Sequence, residues 1–383
     1  MIRKAIYTDY NESDLITRGS CWNFHDQETL QFLHNLHPYP AKFIPQIPHK
    51  VISEFSKEGD TVYDPFCGCG TTLLESSRLK RNAIGTDNNP VAVLLSKAKT
   101  TNYTKKNILE ISDFKNSLLT NIKRSKIRPE LVTDDPNFYY WYDQNIIDHL
   151  SKIKGLIIAL PSPIDNLLLS IFSSILIRSS FQDSDTRYTK IDRSVTVDKV
   201  NNLFISKISR VLDDLKHPEY KMYGNTSVFQ CDARNVSHIK SSSVDLIVTS
   251  PPYLNAYDYH KYHRQRLHWL DADIKFVRTT EIGSHDQFTR KKAVADPYFD
   301  DMNECFSEWN RVLKPKSKCV IVIGDAIVSK RPIKVADRFI TQLIDLDFRI
   351  YDRVIRQLKQ TSRSFNIKNS RIAFEHVLTM EKK

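Results

Sequence analysis

The chain has 383 residues, and its 56 Lys and Arg outweigh 45 Asp and Glu to give a net charge of +11. That length suits one large domain with an insertion, or two domains, with enough chain for a sizeable core. The positive excess fits a polyanionic partner such as nucleic acid. The six cysteines show no C-x-x-C pair and no disulfide-like spacing, so they read as free thiols of a reducing, cytoplasmic setting. Residues 1–14 are polar and lack a signal-peptide core, and the most apolar window, 155–177, is broken by Pro161, Pro163 and Asp165, which argues against a membrane span.

Residues 1–33 are polar and aromatic without a period and read as an irregular arm. The next stretch, 36–45, carries His37, Pro38, Tyr39, Lys42 and Phe43. Its prolines forbid a regular helix, so it predicts an extended loop leading into a helix near 47–55. Residues 61–75 read as a strand, a glycine turn and a helix start, through Asp64-Pro65-Phe66-Cys67-Gly68-Cys69-Gly70-Thr71-Thr72. Gly68 and Gly70 let backbone approach a ligand without a Cβ in the way. Thr71 and Thr72 are N-capping residue types, and the free amides at the helix start suit an anionic group, here a carboxylate. Cys67 and Cys69 form a C-x-C pair, but no nearby Cys or His completes a tetrahedral metal set, and no metal is expected. A second short strand ends on Asp87 and Asn88, about 20 residues past the glycine turn, the spacing at which an acid reaches a ribose hydroxyl pair. A plain helix cap is the other reading of the same acid.

From 104 to 226 the composition changes. A basic stretch begins at Lys105, and helical patterns follow over 141–157, 164–178 and 197–215. The apolar density of 167–176 requires packing on the core or on neighbouring helices. The polar stretch 179–193 reads as a linking loop, and its Arg187 and Tyr188, with Lys190 and Arg193, suit phosphate and base contacts. This block is predicted as a helical insertion, a DNA-contacting region lying between a first segment, 1–103, and a second, 227–383.

The sheet pattern resumes at 227–234, a short strand running into Asp232 and Ala233. Val244, Leu246, Ile247 and Val248 form an apolar run of the kind a central parallel strand needs, and it ends on Ser250-Pro251-Pro252-Tyr253. The two prolines stop the ladder and stiffen the rim at the carboxyl end of the strand, where open α/β sheets place their ligands. The Ser250 hydroxyl and the Pro251 carbonyl are two fixed acceptors able to grip the two hydrogens of an exocyclic amino group. Tyr253 offers a face for a base to stack on, worth about 1–3 kcal/mol. Residues 254–270 are crowded with aromatics and cations; Tyr257, Lys261, Arg264 and Arg266 are candidate DNA contacts, the last three to phosphate. Beyond them the pattern predicts an irregular basic loop over 272–297, helices over 299–313 and 335–346, and a buried strand over 319–325. Residues 348–357 and 371–380 read as a closing hairpin, whose connection carries Arg363 and Asn366.

Several of these stretches together resemble the amino-methylating DNA methyltransferases that carry a Ser-Pro-Pro-Tyr tetrad. The likeness rests on 37–43, on 64–72, on 250–253 and on the continuation Tyr253-Leu254-Asn255-Ala256 with Asp258 and Tyr259. It covers roughly 36–100 and 227–380. Where the family usually has Ser, this chain has Cys69. Alternating strands and helices predict an α/β, doubly wound sheet. The resemblance adds that this is a Rossmann-like methyltransferase sheet with a C-terminal β-hairpin and that S-adenosyl-L-methionine is the cofactor. It implies that 37–43 lines the methionine end of that cofactor and that Asp232 accepts from its adenine amino group. It also implies that 362–369 lies on the substrate side.

The expected reaction is direct methyl transfer to an exocyclic amino nitrogen of a base flipped out of duplex DNA. No covalent cysteine is needed, because the attack is not on a ring carbon. Ser in the first tetrad position is more typical of cytosine-N4 enzymes, so N4-cytosine methylation is the expectation. The alternatives are adenine N6, an RNA amino-methyltransferase, and an inactive DNA-binding module of the same fold. A restriction–modification setting, with a cognate endonuclease acting separately, goes with the class.

Overall fold

The computed structural model describes residues 12–126, 138–185, 187–284, 288, 294–358 and 373–383. Part of the arm expected to be irregular is helix α1 (Glu12–Gly19). After the proline stretch comes α2 (Gln46–Phe55), whose Ile47, Val51 and Ile52 fall on one buried face. Strand β1 (Thr61–Asp64), helix α3 (Thr71–Arg78), strand β2 (Asn82–Asp87) and helix α4 (Pro90–Thr100) follow. The Asn89 side chain accepts from Val91 N at 3.0 Å and caps α4, with Pro90 pre-set for the first turn.

The insertion is helical. What composition marked only as a basic stretch is a 20-residue helix, α5 (Lys105–Arg124), started by a capping box between Thr104 and Asn107. Ile111, Phe114, Leu118 and Ile122 recur every three or four residues and are buried, while Lys105, Lys106, Lys123 and Arg124 are exposed. Then come α6 (Gln144–Ile158) and α7 (Ile164–Ile175). The stretch 179–193, expected as a loop, contains a small antiparallel hairpin, β3 (Gln182–Ser184) and β4 (Arg187–Lys190). Helix α8 (Val197–Lys216) closes the block.

The second half supplies β5 (Thr226–Gln230), β6 (Val244–Thr249), the short helices α9 (Tyr259–Tyr262) and α10 (Arg264–Trp269), and α11 (Ile274–Thr280). That last helix corrects the expectation of an irregular 272–297: Asp273 accepts from Phe276 N at 2.9 Å and starts a turn the composition did not signal. Next are α12 (Asp296–Val312), β7 (Leu313–Ile323), the hairpin β8 (Ala326–Val328) and β9 (Arg331–Ile333), and α13 (Val335–Asp345). Strands β10 (Phe348–Gln357) and β11 (Phe374–Lys382) finish the chain as an antiparallel pair.

Seven strands form one sheet in the order β10-β11-β7-β6-β1-β2-β5. β5, β2, β1, β6 and β7 run parallel, and β11 pairs antiparallel with β7. Past the register shift at Val244, the central strands alternate between two cores, as a period of two requires. Val62, Leu246, Val248, Val320 and Val322 join α2 on one face; Tyr63, Ile247, Cys319, Ile321 and Ile323 meet α12 and α13 on the other. The chain leaves β1 for β2 on one side and returns to β6 on the other, so the switch point of this doubly wound sheet lies between β1 and β6.

The insertion has no separate core. Its apolar cluster is continuous with Leu74 of α3, Ala98 of α4 and Trp269 of α10. Phe172 of α7 meets Trp269 edge-on at 5.6 Å between ring centres. Among the described residues no helix is long and apolar enough to cross a membrane. Phe172 is fully buried at this junction, so Phe172→Ala should lower stability by about 3–5 kcal/mol in urea unfolding. Because the insertion and the sheet share a core, far-ultraviolet dichroism and tryptophan fluorescence should follow one transition in both proteins.

Candidate active site

Asp64 ends β1, and the chain turns through Pro65–Gly70 into α3. Gly70 adopts φ +78°, and a Cβ there would lie 2.9 Å from the Ser96 backbone, so only glycine closes this turn against α4. The Gly68 amide donates to Asp87 Oδ2 at 2.9 Å, and Asn89 N donates to Asp87 Oδ1 at 2.9 Å. The carboxylate of Asp87 thereby fixes the glycine loop against the end of β2. Asp64 Oδ1 accepts from Phe66 N at 3.1 Å and from the Thr249 hydroxyl at 2.7 Å. It joins the glycine loop to the end of β6, one residue before Ser250. Burial pushes both carboxyls up, to about 6 in each case, because the charged form is costly away from water.

A cleft open to solvent runs between these loops at the carboxyl ends of β1, β2 and β6. The proline segment contributes Tyr39, Lys42 and Phe43 to its wall; the glycine loop contributes Asp64, Pro65, Phe66, Cys67, Gly68 and Thr71. Asp87, Asn88 and Ala233 lie on the wall, as do Ser250 and Pro252 of the tetrad. This set suits an S-adenosyl-L-methionine molecule: Asp87 offers carboxylate acceptors for hydroxyls, the glycine loop a close backbone cradle, and Lys42 a cation.

Other residues singled out from sequence stand behind the wall. Gly70 and Thr72 are buried at the start of α3. His37 is buried: its Nδ1 meets the Pro38 carbonyl at 2.7 Å, which can only accept, so Nε2 accepts from the Ser173 hydroxyl at 3.1 Å. Burial holds this imidazole well below its ordinary pKa and neutral, and it ties the proline segment to α7. The Asp232 carboxylate is taken up by Arg234, whose guanidinium reaches both of its oxygens at 2.6–3.1 Å. Ala233 of that dipeptide lines the cleft, and Asp232 stands next to it in this ion pair.

Side-chain hydrogen bonds hold the rim. The Ser250 hydroxyl donates to the Val322 carbonyl of β7 at 3.1 Å. With its single hydrogen committed, its lone pairs are left to accept. The Tyr298 hydroxyl donates to the Pro252 carbonyl at 2.9 Å. The Tyr253 hydroxyl donates to Glu375 Oε1 at 2.7 Å, and Arg356 donates to the other oxygen of Glu375 at 3.1 Å.

The candidate DNA contacts divide. Lys261 is exposed and lies 3.3 Å from Asp258; Arg264 is half-buried. Tyr257 is half-buried and packs against Tyr259 and Tyr262 at 5.7 and 5.8 Å between ring centres. Arg187 and Tyr188 sit exposed on β4, Arg187 beside Asp183 at 3.3 Å. Arg266 is corrected: it is fully buried, donating to the Ser173 carbonyl at 3.2 Å and to the Asp185 carboxylate. A guanidinium enclosed in this way cannot reach a phosphate; it holds the β3–β4 hairpin to α7. Arg363 and Asn366 lie outside the described residues.

Sequence reasoning did not assign the far wall of the cleft, which is formed by Tyr259, Val277, Thr280, Glu281 and Ile282, nor Asn89 on the near side. Glu281 accepts from Tyr259 N at 2.6 Å, His260 N at 3.2 Å and His260 Nδ1 at 2.5 Å, so it caps α9 while facing the cleft. Asn88 reaches the same wall, donating to Thr280 Oγ1 at 3.0 Å. A lone acid in an aperiodic stretch carries no local signal for this role.

The chain belongs to the N6/N4 DNA methylase family, whose model, described as DNA methylase, matches residues 3–98 and 244–383. The unmatched part between them contains the helical insertion. Among curated proteins it is similar to the Type II methyltransferase M.MjaII of Methanocaldococcus jannaschii, 23% identical, covering 78% of this chain and 73% of that protein. It is likewise similar to the Type II methyltransferase M.MvaI of Kocuria varians, 25% identical, covering 89% of this chain and 76% of that one. A protein of Thermus thermophilus solved with S-adenosyl-L-methionine matches at 20% identity and a TM-score of 0.26, over 39% of this chain and 53% of its own. S-adenosyl-L-methionine is the cofactor expected of a member of this family.

The raised carboxyls give a pH test. An acid whose folded pKa lies above its unfolded value contributes stability that is complete below about 4 and is lost as pH rises through about 6. In cofactor-free protein, the difference in urea midpoint between wild type and Asp87→Asn should therefore shift against wild type as pH rises from 4 to 7. A difference independent of pH over that window would show that Asp87 is not held protonated by burial.

Proposed function

We propose that this chain transfers the methyl group of S-adenosyl-L-methionine to the N4 amino nitrogen of a cytosine in duplex DNA. The observation that carries the reading is the Ser250 hydroxyl, whose hydrogen is given to the Val322 carbonyl at 3.1 Å beside the cofactor cleft. A hydroxyl fixed in this way can serve only as an acceptor, which is what the hydrogens of an amino group require. Bound in the cleft, the cofactor supplies an electrophilic methyl group on a sulfonium.

The residues of the chain do the rest. An exocyclic amino nitrogen is a poor nucleophile because its lone pair is delocalised into the ring. Accepting its two hydrogens at Ser250 Oγ and the Pro251 carbonyl favours a pyramidal nitrogen and offsets the positive charge that develops as the bond to carbon forms. The prolines keep the two acceptors in place, so little reorganisation is needed at the moment of transfer. Glu375 and Arg356 fix the Tyr253 hydroxyl, which sets the ring plane against which a flipped base can stack. The exposed cations Lys261 and Arg187, and the half-buried Arg264, are proposed to meet the DNA backbone. Relatives named as Type II methyltransferases support a restriction–modification role, with a cognate endonuclease as the separate partner.

Two measurements test this. Nucleosides released from DNA methylated by the protein should contain N4-methylcytosine; N6-methyladenine alone would overturn the choice of base. Ser250→Ala should lower kcat by about 100-fold or more, the cost of losing one preorganised transition-state hydrogen bond. Calorimetry should find its affinity for S-adenosylhomocysteine within about twofold of wild type, since Ser250 acts on the base.

A further inference from the structure

One charged group near the cleft is left unexplained by the chemistry above. Lys99, in the last turn of α4, is fully buried. Its ammonium nitrogen has no oxygen partner among the described residues; its polar neighbour is the Cys69 thiol. An enclosed ammonium without an anion is costly, and proteins that keep one generally have a counter-charge for it. Glu75, the buried acid on α3, does not serve: it is committed to His34 at 2.8 Å, His49 at 2.8 Å and Arg78 at 3.1 Å.

Ser96, three residues before Lys99 on α4, donates to the Gly68 carbonyl at 2.9 Å, so this face of the helix meets the glycine loop. Cys69 and Lys42 both lie on the cleft wall. Burial pushes the Cys69 thiol up, and Lys99 and then Lys42 draw it down past its ordinary value. Burial, and next the charge of Lys99, lower Lys42 to about 8. Two cations therefore converge on one corner of the cleft, separated by a thiol and beside the first turn of α3, where Thr71 lines the same wall. Such a corner is incomplete until an anion enters it.

We propose that Lys99, with Lys42 and across Cys69, is the counter-charge for the α-carboxylate on the amino-acid tail of the cofactor. The inference rests on the placing of the cofactor in this cleft. Lys99 acts from behind the wall, as a positioning charge, while Lys42, half-buried and donating to the His34 carbonyl, lines the wall itself. Cys69, where Ser would be usual, puts a polarisable thiol between the two ammonium groups.

The test compares S-adenosylhomocysteine with S-adenosyl-3-thiopropylamine, the same molecule without its carboxylate, by calorimetry on the full chain. Wild type should bind the first at least about 30-fold more tightly. Lys99→Met should lose most of that preference, binding S-adenosylhomocysteine about 10- to 30-fold more weakly and the decarboxylated compound within about twofold of wild type. Lys42→Met should erode the same preference. Removing an uncompensated buried charge should also raise the urea midpoint of the cofactor-free Lys99→Met protein, an effect opposite to that of losing a structural contact. Equal binding of the two compounds by wild type would overturn the inference. So would equal weakening of both by Lys99→Met, or a variant that is less stable or unfolded. Binding of neither compound by wild type would instead overturn the placing of the cofactor, and the inference with it.

Discussion

A single buried carboxylate joins the two halves of this site. Asp64 accepts from the Phe66 amide of the glycine loop and from the Thr249 hydroxyl at the end of β6. The first bond sets how the cofactor loop leaves its strand; the second sets where the tetrad begins. The strands beneath are locked in register, with Val62 opposite Leu246 and Tyr63 opposite Ile247. A shift of one residue would exchange the two faces of β6 and carry its apolar residues into the wrong core. The spacing between the glycine loop and the proline rim is therefore governed by sheet register and one hydrogen-bonded acid rather than by flexible loops.

Charge is used in two ways in this basic chain. On surfaces such as α5 the cations are solvated. In the interior they are structural: Arg266 links α10, α7 and the β3–β4 hairpin, and Arg356 supports Glu375 behind Tyr253. The neutral His37 performs a similar service between the proline segment and Ser173. The insertion is thus connected to both the cofactor segment and the segment after the tetrad, through polar ties laid over a common apolar core.

Much of this was legible in the sequence where local rules act. The glycine turn, the apolar runs of β6 and β7 and the proline stop after Ser250 each follow from one short stretch of chain. The helices α7 and α8 could be read from spacing and apolar density. Helix α5 was obscured by its charge, because its apolar stripe is narrow and its other faces are polar. The roles of Arg266, Asp232 and Glu281 were illegible for a different reason. Each depends on which group the side chain meets, and for Arg266 that is Asp185, 81 positions away. Composition suggested phosphate for Arg266, and a nearer partner claimed it; the Arg234 guanidinium beside Asp232 was equally invisible to pattern. The cleft's far wall came from a stretch with no period, which a pattern-based reading has no means to assign.

Strand β11 lies between β7 and β10 and is hydrogen-bonded on both edges. Val377 pairs with Val322, the residue whose carbonyl receives the Ser250 hydrogen. The segment from Phe374 to Lys382 is therefore an interior beam, not a trailing end. A ribosome delivers it after every other strand of the sheet, so a nascent chain holds its glycine loop, its tetrad and Val322 before β11 braces β7 from the far side. Competence for methyl transfer is in this sense a late event in the life of the polypeptide, timed by the closing of the sheet.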